Sequence, residues 1–199
     1  MESLLISKYM SRVAAVGAAG ALGAVALVGI APTADAASAT PLKTTYGCTI
    51  LGTPYDFPVT IKMDVPATGK AKKPISAKPF KMVVTIPEEQ ADLLRDVLMA
   101  SEVSGTAYDA KYSVGSTKVN LGTLKIAKTA VPDSGPINLP VSAPKGTSFT
   151  IKKKGTYVVN APKSFTFAPK NQDNQDLIPG GPVTCAASGP TKTGTIKIK

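Results

Sequence analysis

The sequence predicts an all-β sandwich of about nine to ten strands that contains a single short helix. Short β-branched and aromatic segments alternate apolar and polar side chains, and they recur at intervals of about ten residues. Gly, Pro, Asn and Asp separate these segments, and the chain contains 17 glycines and 17 prolines. Regular spacing of this kind favours packed antiparallel sheets over a parallel sheet layered with helices.

The first 36 residues have the pattern of a secretory signal peptide. Lys8 and Arg12 form a positive region, and an uncharged apolar run follows at residues 13–30. Ala34-Asp35-Ala36 has the small-x-small pattern of a signal-peptidase site. A run of this length is just long enough to span a membrane. Its Ala- and Gly-rich composition and the site that follows it favour secretion over a membrane anchor.

We expect cleavage after Ala36, with Ala39 as the alternative position. The mature chain, residues 37–199, then forms a single secreted domain with no transmembrane segment after processing. Its two cysteines, Cys48 and Cys185, lie near opposite ends, and in a secreted protein an even pair predicts one disulfide.

Within the mature chain, period-two segments begin at "PVTIKMDVP", where Val59, Ile61 and Met63 share one face and Thr60 and Lys62 share the other. The pattern continues toward the C-terminus in "KPFKMVVTIP", "VSGTAYDAKYSV", "VNLGTLKI", "INLPVSA", "SFTIKKK", "TYVVNA", "SFTFA", "VTCAAS" and "TGTIKIK".

Residues 87–100 differ from the rest of the chain because their apolar positions recur at helical spacing. Pro87 followed by two glutamates suits the first turn of a helix. We expect about three turns that end before Gly105, cross from one sheet to the other and close an open end of the sandwich.

The net charge of +10 belongs to the mature domain, and it comes almost entirely from lysine. A single arginine, Arg95, remains there, and the chain has no tryptophan, so a specific nucleic-acid reader is disfavoured. Lysines that keep a secreted sheet protein soluble are one interpretation. Diffuse attraction to an anionic wall polymer or lipid surface is the other. The candidate anion-binding residues are Lys70, Lys72, Lys73, Lys152, Lys153 and Lys154.

Histidine is absent from the chain, which excludes Ser-His-Asp triads, Cys-His pairs and histidine-based zinc sites. Ser142 and Lys145 fit the Ser-x-x-Lys spacing of an acyl-transfer nucleophile, and residues 192–194 match a Lys-Thr-Gly element. Pro144 lies inside the first motif and strand-like residues flank it, whereas Ser-x-x-Lys enzymes place this motif on a helix. We therefore expect a turn here, with catalysis as the alternative.

The "NQDNQD" segment offers Asp173 and Asp176 as oxygen ligands for a metal ion. A calcium loop would need further carboxylates, a glycine and a distal glutamate at set positions. We expect a polar turn, and we expect no cofactor.

Several stretches resemble a family of small secreted actinobacterial domains of unestablished function. The resemblance is carried by "TYGCTILG", "PVTIKMDVP", the proline-led helix and "VSGTA", in the first half of the mature chain. It implies an immunoglobulin-like sandwich exported to the envelope or medium, and it brings no catalytic residues. Some similarly sized secreted actinobacterial proteins that this sequence resembles carry a cholesterol esterase label, but the lack of histidine and of a Gly-x-Ser-x-Gly elbow gives that label no physical support here.

Two hypotheses follow. The first is a secreted, non-catalytic β-sandwich that binds or decorates an extracellular or cell-envelope surface, with lysines providing weak attraction to anionic polymer or lipid. The alternative is a secreted esterase of unusual mechanism that acts on lipid-like esters such as cholesteryl esters.

Overall fold

The computed structural model describes residues 40–199, and the predicted signal peptide lies outside these residues. The described chain is all-β apart from one short helical segment. No helix within it is long and apolar enough to cross a membrane. The strands are β1 Leu42–Ile50, β2 Thr53–Lys62, β3 Thr68–Gly69, β4 Pro74–Ala77, β5 Lys81–Ile86, β6 Glu102–Tyr108, β7 Lys111–Val114, β8 Thr117–Asn120, β9 Leu124–Ala130, β10 Ile137–Ser142, β11 Thr147–Thr150, β12 Gly155–Asn160, β13 Ser164–Lys170, β14 Val183–Ala187 and β15 Lys192–Ile198.

Eight strands close into an antiparallel barrel in the order β1-β14-β13-β6-β9-β10-β5-β2, with β2 pairing back to β1. The connections at one end of the barrel are residues 51–52, 87–101, 131–136 and 171–182. We call this end the mouth. The connections at the opposite end, together with the segment after β14, contain the other seven strands, which form a five-stranded sheet (β3-β15-β12-β7-β8) and a two-stranded sheet (β11-β4). We call this second layer the tier.

Barrel and tier share one hydrophobic core, which explains why the period-two pattern runs through both. Val59, Ile61 and Met63 are all buried, as their alternation predicts. Phe149 and Ile151 are likewise buried in the tier. Full burial of side chains of this size contributes roughly 1.5–3 kcal/mol each.

The all-β class is confirmed, but an immunoglobulin-like sandwich is not, because the main sheet closes on itself as a barrel. The described chain also contains fifteen strands where nine to ten were expected. The additional strands are mainly in the tier, where β3, β4, β7, β8 and β11 are two to four residues long. Two predicted segments each cover parts of two strands, because residues 103–114 include most of β6 and all of β7, and residues 119–126 include parts of β8 and β9.

The helical segment is shorter than expected and it is not a uniform α-helix. The α-helix α1 spans Glu88–Asp92, and a π-helical turn follows at Leu93–Val97. It joins β5 to β6, which are separated in the barrel by β10 and β9, so it crosses the mouth instead of passing between two sheets. Arg95 holds it there: the guanidinium donates to the carbonyls of Pro132 and Gly135 at 3.0 and 3.1 Å.

The predicted disulfide is confirmed. Cys48 and Cys185 are direct cross-strand partners on β1 and β14, with their Cα atoms 4.2 Å apart and an S–S bond of 2.00 Å. The bond therefore ties the first barrel strand to the last one. Both residues are buried next to Phe57 and Phe167, at the inner end of the mouth.

A β-bulge bends β6 where it passes between β9 and β13. The pairing register with β9 shifts between Val103 and Gly105. Gly105 has a φ of +126°, and a Cβ on it would lie 2.3 Å from the carbonyl oxygen of Ala168 on β13. Only glycine fits this conformation and this close approach of two backbones.

Candidate functional site

Three separate chain segments bring eight lysines together on the tier. The turn between β3 and β4 carries Lys70, Lys72 and Lys73. The connection from β11 to β12 carries Lys152, Lys153 and Lys154, and the end of β15 carries Lys197 and Lys199. We call this group the lysine tip.

Backbone hydrogen bonds hold the three segments side by side. The amide of Lys72 donates to the carbonyl of Ile151 at 2.8 Å, directly before the lysine triplet. The amide of Ala71 donates to the carbonyl of Lys199 at 3.0 Å, and β3 pairs in parallel with the end of β15. The two lysine groups singled out from the sequence are therefore neighbours, although about 80 residues separate them along the chain.

All eight side chains of the lysine tip are exposed. Among the residues that the structure describes, none of these ammonium groups lies within 4.0 Å of a carboxylate; the paired lysines are Lys78, Lys128 and Lys170. Unpaired ammonium groups in this density create a positive potential that extends about 8 Å at physiological salt. The tip can therefore attract anions without first breaking an ion pair.

Charge is segregated along the barrel axis. The barrel half that ends at the mouth holds nine carboxylates and three cations, a net charge of −6. The remainder of the described chain holds eighteen lysines and two carboxylates, a net charge of +16. The nine mouth carboxylates are Asp56, Glu88, Glu89, Asp92, Asp96, Glu102, Asp133, Asp173 and Asp176.

Each of the three cations at the mouth is already paired with one of these carboxylates. Arg95 contacts Asp92 at 2.6 Å, Lys128 contacts Glu102 at 3.2 Å and Lys170 contacts Asp176 at 2.7 Å. Six carboxylates at this end therefore have no cation beside them within the described chain.

An apolar cavity of about 130 Å³ opens at the mouth. The helical segment and the connection between β13 and β14 form its sides, and the barrel strands form its base. Its lining is aliphatic and aromatic apart from Gln90 and the disulfide-bonded Cys48, and it includes Phe57, Leu94, Leu98, Phe167 and Leu177.

Ser142 and Lys145 are not arranged as an acyl-transfer pair. Ser142 ends β10 on its outward face, between the buried residues Val141 and Ala143. Lys145 follows Pro144 in a bend and is exposed, so the two residues do not share one face of a helix. Lys145 borders an open groove of about 550 Å³ between β8 and β11, and Ser142 is not among the residues that line this groove.

Asp173 and Asp176 lie in a polar turn at the mouth. The carboxylate of Asp176 is paired with Lys170, and that of Asp173 accepts from the side-chain amide of Gln172 at 3.3 Å. The side-chain oxygen of Asn171 accepts from the amides of Asp173 and Gln175, which closes the turn. Within residues 40–199, no three His, Cys, Asp or Glu side chains come close enough to hold a metal ion.

Sequence reasoning missed two parts of these surfaces. Lys197 and Lys199 belong to the lysine tip, but in the sequence they read as outward positions of a C-terminal strand. The apolar mouth was missed because its residues come from five separate segments. One signal was present: Leu93 and Val97 are apolar residues on the exposed side of a helix that also carries four acidic residues.

No curated protein and no solved structure matches the chain. A protein-family model does match, and it covers residues 45–195, from the second half of β1 to β15. It therefore includes both ends of the barrel and both cysteines of the disulfide. The chain belongs to this family, a family of unknown function (DUF6801).

Proposed function

We propose that this chain is a secreted, non-catalytic protein that binds anionic groups on an extracellular or cell-envelope surface through the lysine tip. The observation that supports it best is the joining of Lys70–Lys73, Lys152–Lys154 and the end of β15 into one exposed group. Solubility alone requires dispersed charge, whereas here lysines from three segments converge.

Secretion is supported by the disulfide and by the signal-peptide pattern of residues 1–36. Disulfides form and persist in oxidising compartments, which include the extracellular space. The Cys48–Cys185 pair is buried in the barrel.

Between the two sources of anionic groups, the composition of the tier favours a polymer over a lipid membrane. Amphipathic segments that lie in a membrane surface strengthen their basic contacts with apolar side chains that enter the bilayer. The only large exposed apolar side chain on the described part of the tier is Val158. Lysine ammonium groups act as point charges without a fixed fork, so they suit a repeating polymer of phosphate or carboxylate groups.

The test is retention on immobilised polyphosphate and on anionic vesicles, with elution by a salt gradient. We expect the protein to elute from polyphosphate at a salt concentration that falls when Lys152, Lys153 and Lys154 are replaced by glutamine. The matched control replaces Lys62, Lys81 and Lys125, which are exposed on the barrel wall, and so removes the same charge.

Equal shifts in the two triple variants would show that only net charge matters, and this would overturn the proposal. Stronger retention on vesicles than on polyphosphate would assign the tip to lipid instead.

The esterase alternative gains no support from the geometry. Ser142 ends β10 on its outward face, and Lys145 does not share a helix face with it. Its cross-strand neighbours are Lys81 and Lys125, two exposed lysines on the barrel wall. The apolar cavity at the mouth is about 130 Å³, whereas pockets for ligands of sterol size are roughly 300 Å³ or larger. Assays with p-nitrophenyl and cholesteryl esters, and with Ser142→Ala as control, test it directly; turnover that this substitution abolishes would reinstate the esterase.

A further inference from the structure

The mouth carries most of the large apolar side chains that are exposed to solvent in the described chain. Five of the six large apolar side chains exposed in the described chain lie there: Leu51, Leu93, Val97, Leu98 and Met99. Leu93 and Leu98 line the apolar cavity, and the other three lie in the same connections of the mouth. Exposed apolar side chains gathered around a cavity are typical of a binding surface.

Two of these residues are kept at a cost in backbone energy. Leu51 and Met99 are each 73% exposed, and their φ values are +50° and +48°. A left-handed conformation costs a residue of this kind roughly 1–2 kcal/mol, and glycine or asparagine would adopt it more easily. Because neither side chain is buried, the fold gains little packing energy in return.

The volume of the cavity limits what can enter it. A cavity of about 150 Å³ in another protein holds one benzene molecule. The cavity at the mouth, at about 130 Å³, therefore accepts one bulky side chain such as leucine or phenylalanine. It is too small for an extended acyl chain or a sterol.

The charge around the cavity indicates the sign of the charge that a partner must carry. The mouth has a net charge of −6, and Glu89 and Asp96 on the helical segment are exposed and unpaired in the described chain. An anionic membrane is repelled by this charge, and a second mouth is repelled equally, so a symmetric dimer is disfavoured. A positively charged partner is attracted.

We propose that the mouth binds a positively charged polypeptide segment that inserts one bulky apolar side chain into the cavity. The carboxylates around the opening attract the basic residues of the partner and orient the segment. The inserted side chain supplies most of the affinity, as a buried anchor does at other protein interfaces. This site is separate from the lysine tip, which lies at the opposite end of the barrel.

The experiment measures binding of three short fluorescent peptides at physiological salt, where the distant lysine tip is screened. The probe peptide has central leucines flanked by lysines. In one control peptide glutamates replace the lysines, and in the other serines replace the leucines. We expect the probe peptide to bind at least about tenfold more tightly than either control.

Two protein variants locate the binding at the mouth. Leu98→Ser removes an apolar side chain from the opening, and we expect it to weaken binding of the probe peptide about tenfold or more. Its matched control is Val158→Ser on the tier, because Val158 is exposed to the same degree (39% against 38% for Leu98). Glu89→Lys combined with Asp96→Lys tests the charge, and we expect weaker binding with a smaller salt dependence. Thermal unfolding checks that each variant is folded.

Several results would overturn the proposal. If the glutamate peptide binds as tightly as the probe peptide, the charge of the mouth does not contribute to binding. If Leu98→Ser binds the probe peptide as tightly as the unmodified protein does, the cavity does not contribute. Self-association in sedimentation that Leu98→Ser abolishes would make the mouth an interface between copies of this chain. Flotation with anionic vesicles that depends on Leu98 would make it a membrane contact. Replacing Lys152, Lys153 and Lys154 should leave peptide binding unchanged, so the two binding proposals fail independently.

Discussion

Replacing Gly105 by alanine should destabilise the barrel far more than the same change at Gly122. At Gly105 the φ of +126° is strained for any L side chain, at about 1–3 kcal/mol. The new Cβ would also lie 2.3 Å from the carbonyl oxygen of Ala168 and 3.1 Å from the Cα of Pro169. Both are backbone atoms in the neighbouring strand, so relief requires β6 and β13 to move apart, at roughly a further 1–3 kcal/mol.

Gly122 separates the two contributions. Its φ of +69° is also left-handed, but a Cβ there would meet no atom within 4 Å. Gly122→Ala should therefore cost about 1 kcal/mol, from the backbone conformation alone, while Gly105→Ala should cost about 4 kcal/mol.

Urea denaturation followed by circular dichroism measures both changes in the free energy of unfolding. Each is obtained from the shift in the urea concentration at half unfolding, with the dependence of the free energy on urea unchanged. If the two substitutions lower the free energy of unfolding by the same amount, β6 and β13 do not approach closely at the bulge. That result would also refute the register of the barrel at this point.

The remaining predictions concern the disulfide and a buried tyrosine. Replacing both Cys48 and Cys185 by serine opens the closed loop of 185 − 48 + 1 = 138 residues. On the chain-entropy model this should lower the free energy of unfolding by roughly 5 kcal/mol. A loss below about 1 kcal/mol in the same urea assay would contradict a structural role for the disulfide. Burial raises the pKa of Tyr46, whose hydroxyl donates to the carbonyl of Pro162. The tyrosine must be protonated in the folded state, so its contribution to stability is complete below about pH 10 and is lost as the pH rises further, by up to about 1.4 kcal/mol per pH unit. Tyr46→Phe should therefore be less stable at pH 7, by about 1 kcal/mol for the lost hydrogen bond, but should show a flatter decline above pH 10; parallel pH profiles of unfolding for the two proteins would exclude this assignment.

Alternation along the chain predicted which side chains are buried, but not which strands are neighbours. Met82, Val84 and Ile86 face the core, as the period-two pattern of their segment requires. The same pattern is compatible with a sandwich or a barrel. Alternation determines on which face of the sheet a side chain lies, but it does not determine which strand pairs with which. Closure depends on β2 pairing with both β1 and β5, and the pairing of β2 with this second strand, which does not follow it directly in the sequence, leaves no local signal.

The two candidate surfaces differ in how much of them could be found in the sequence. Lys70–Lys73 and Lys152–Lys154 were visible as runs of like charge, but their contact depends on the hydrogen bond between Lys72 and Ile151 and on β3 pairing with β15. The mouth was hidden more completely. Asp133 and Asp173 join the acidic helical segment only because three barrel connections meet at the same end.

The disulfide also determines how the domain responds to mechanical force. A pull applied between residue 40 and residue 199 enters the barrel through β1 and leaves it through β14. Because Cys48 and Cys185 are bonded across these two strands, the load passes through the S–S bond and bypasses the chain between them. With the disulfide intact, only the residues outside the bonded loop can extend, which are about 22 residues and span roughly 75 Å when fully stretched. With the disulfide reduced, all of the about 160 residues could extend, to roughly 540 Å. A pull through residues 40 and 199 would therefore peel β15 away from the tier while the barrel stays closed.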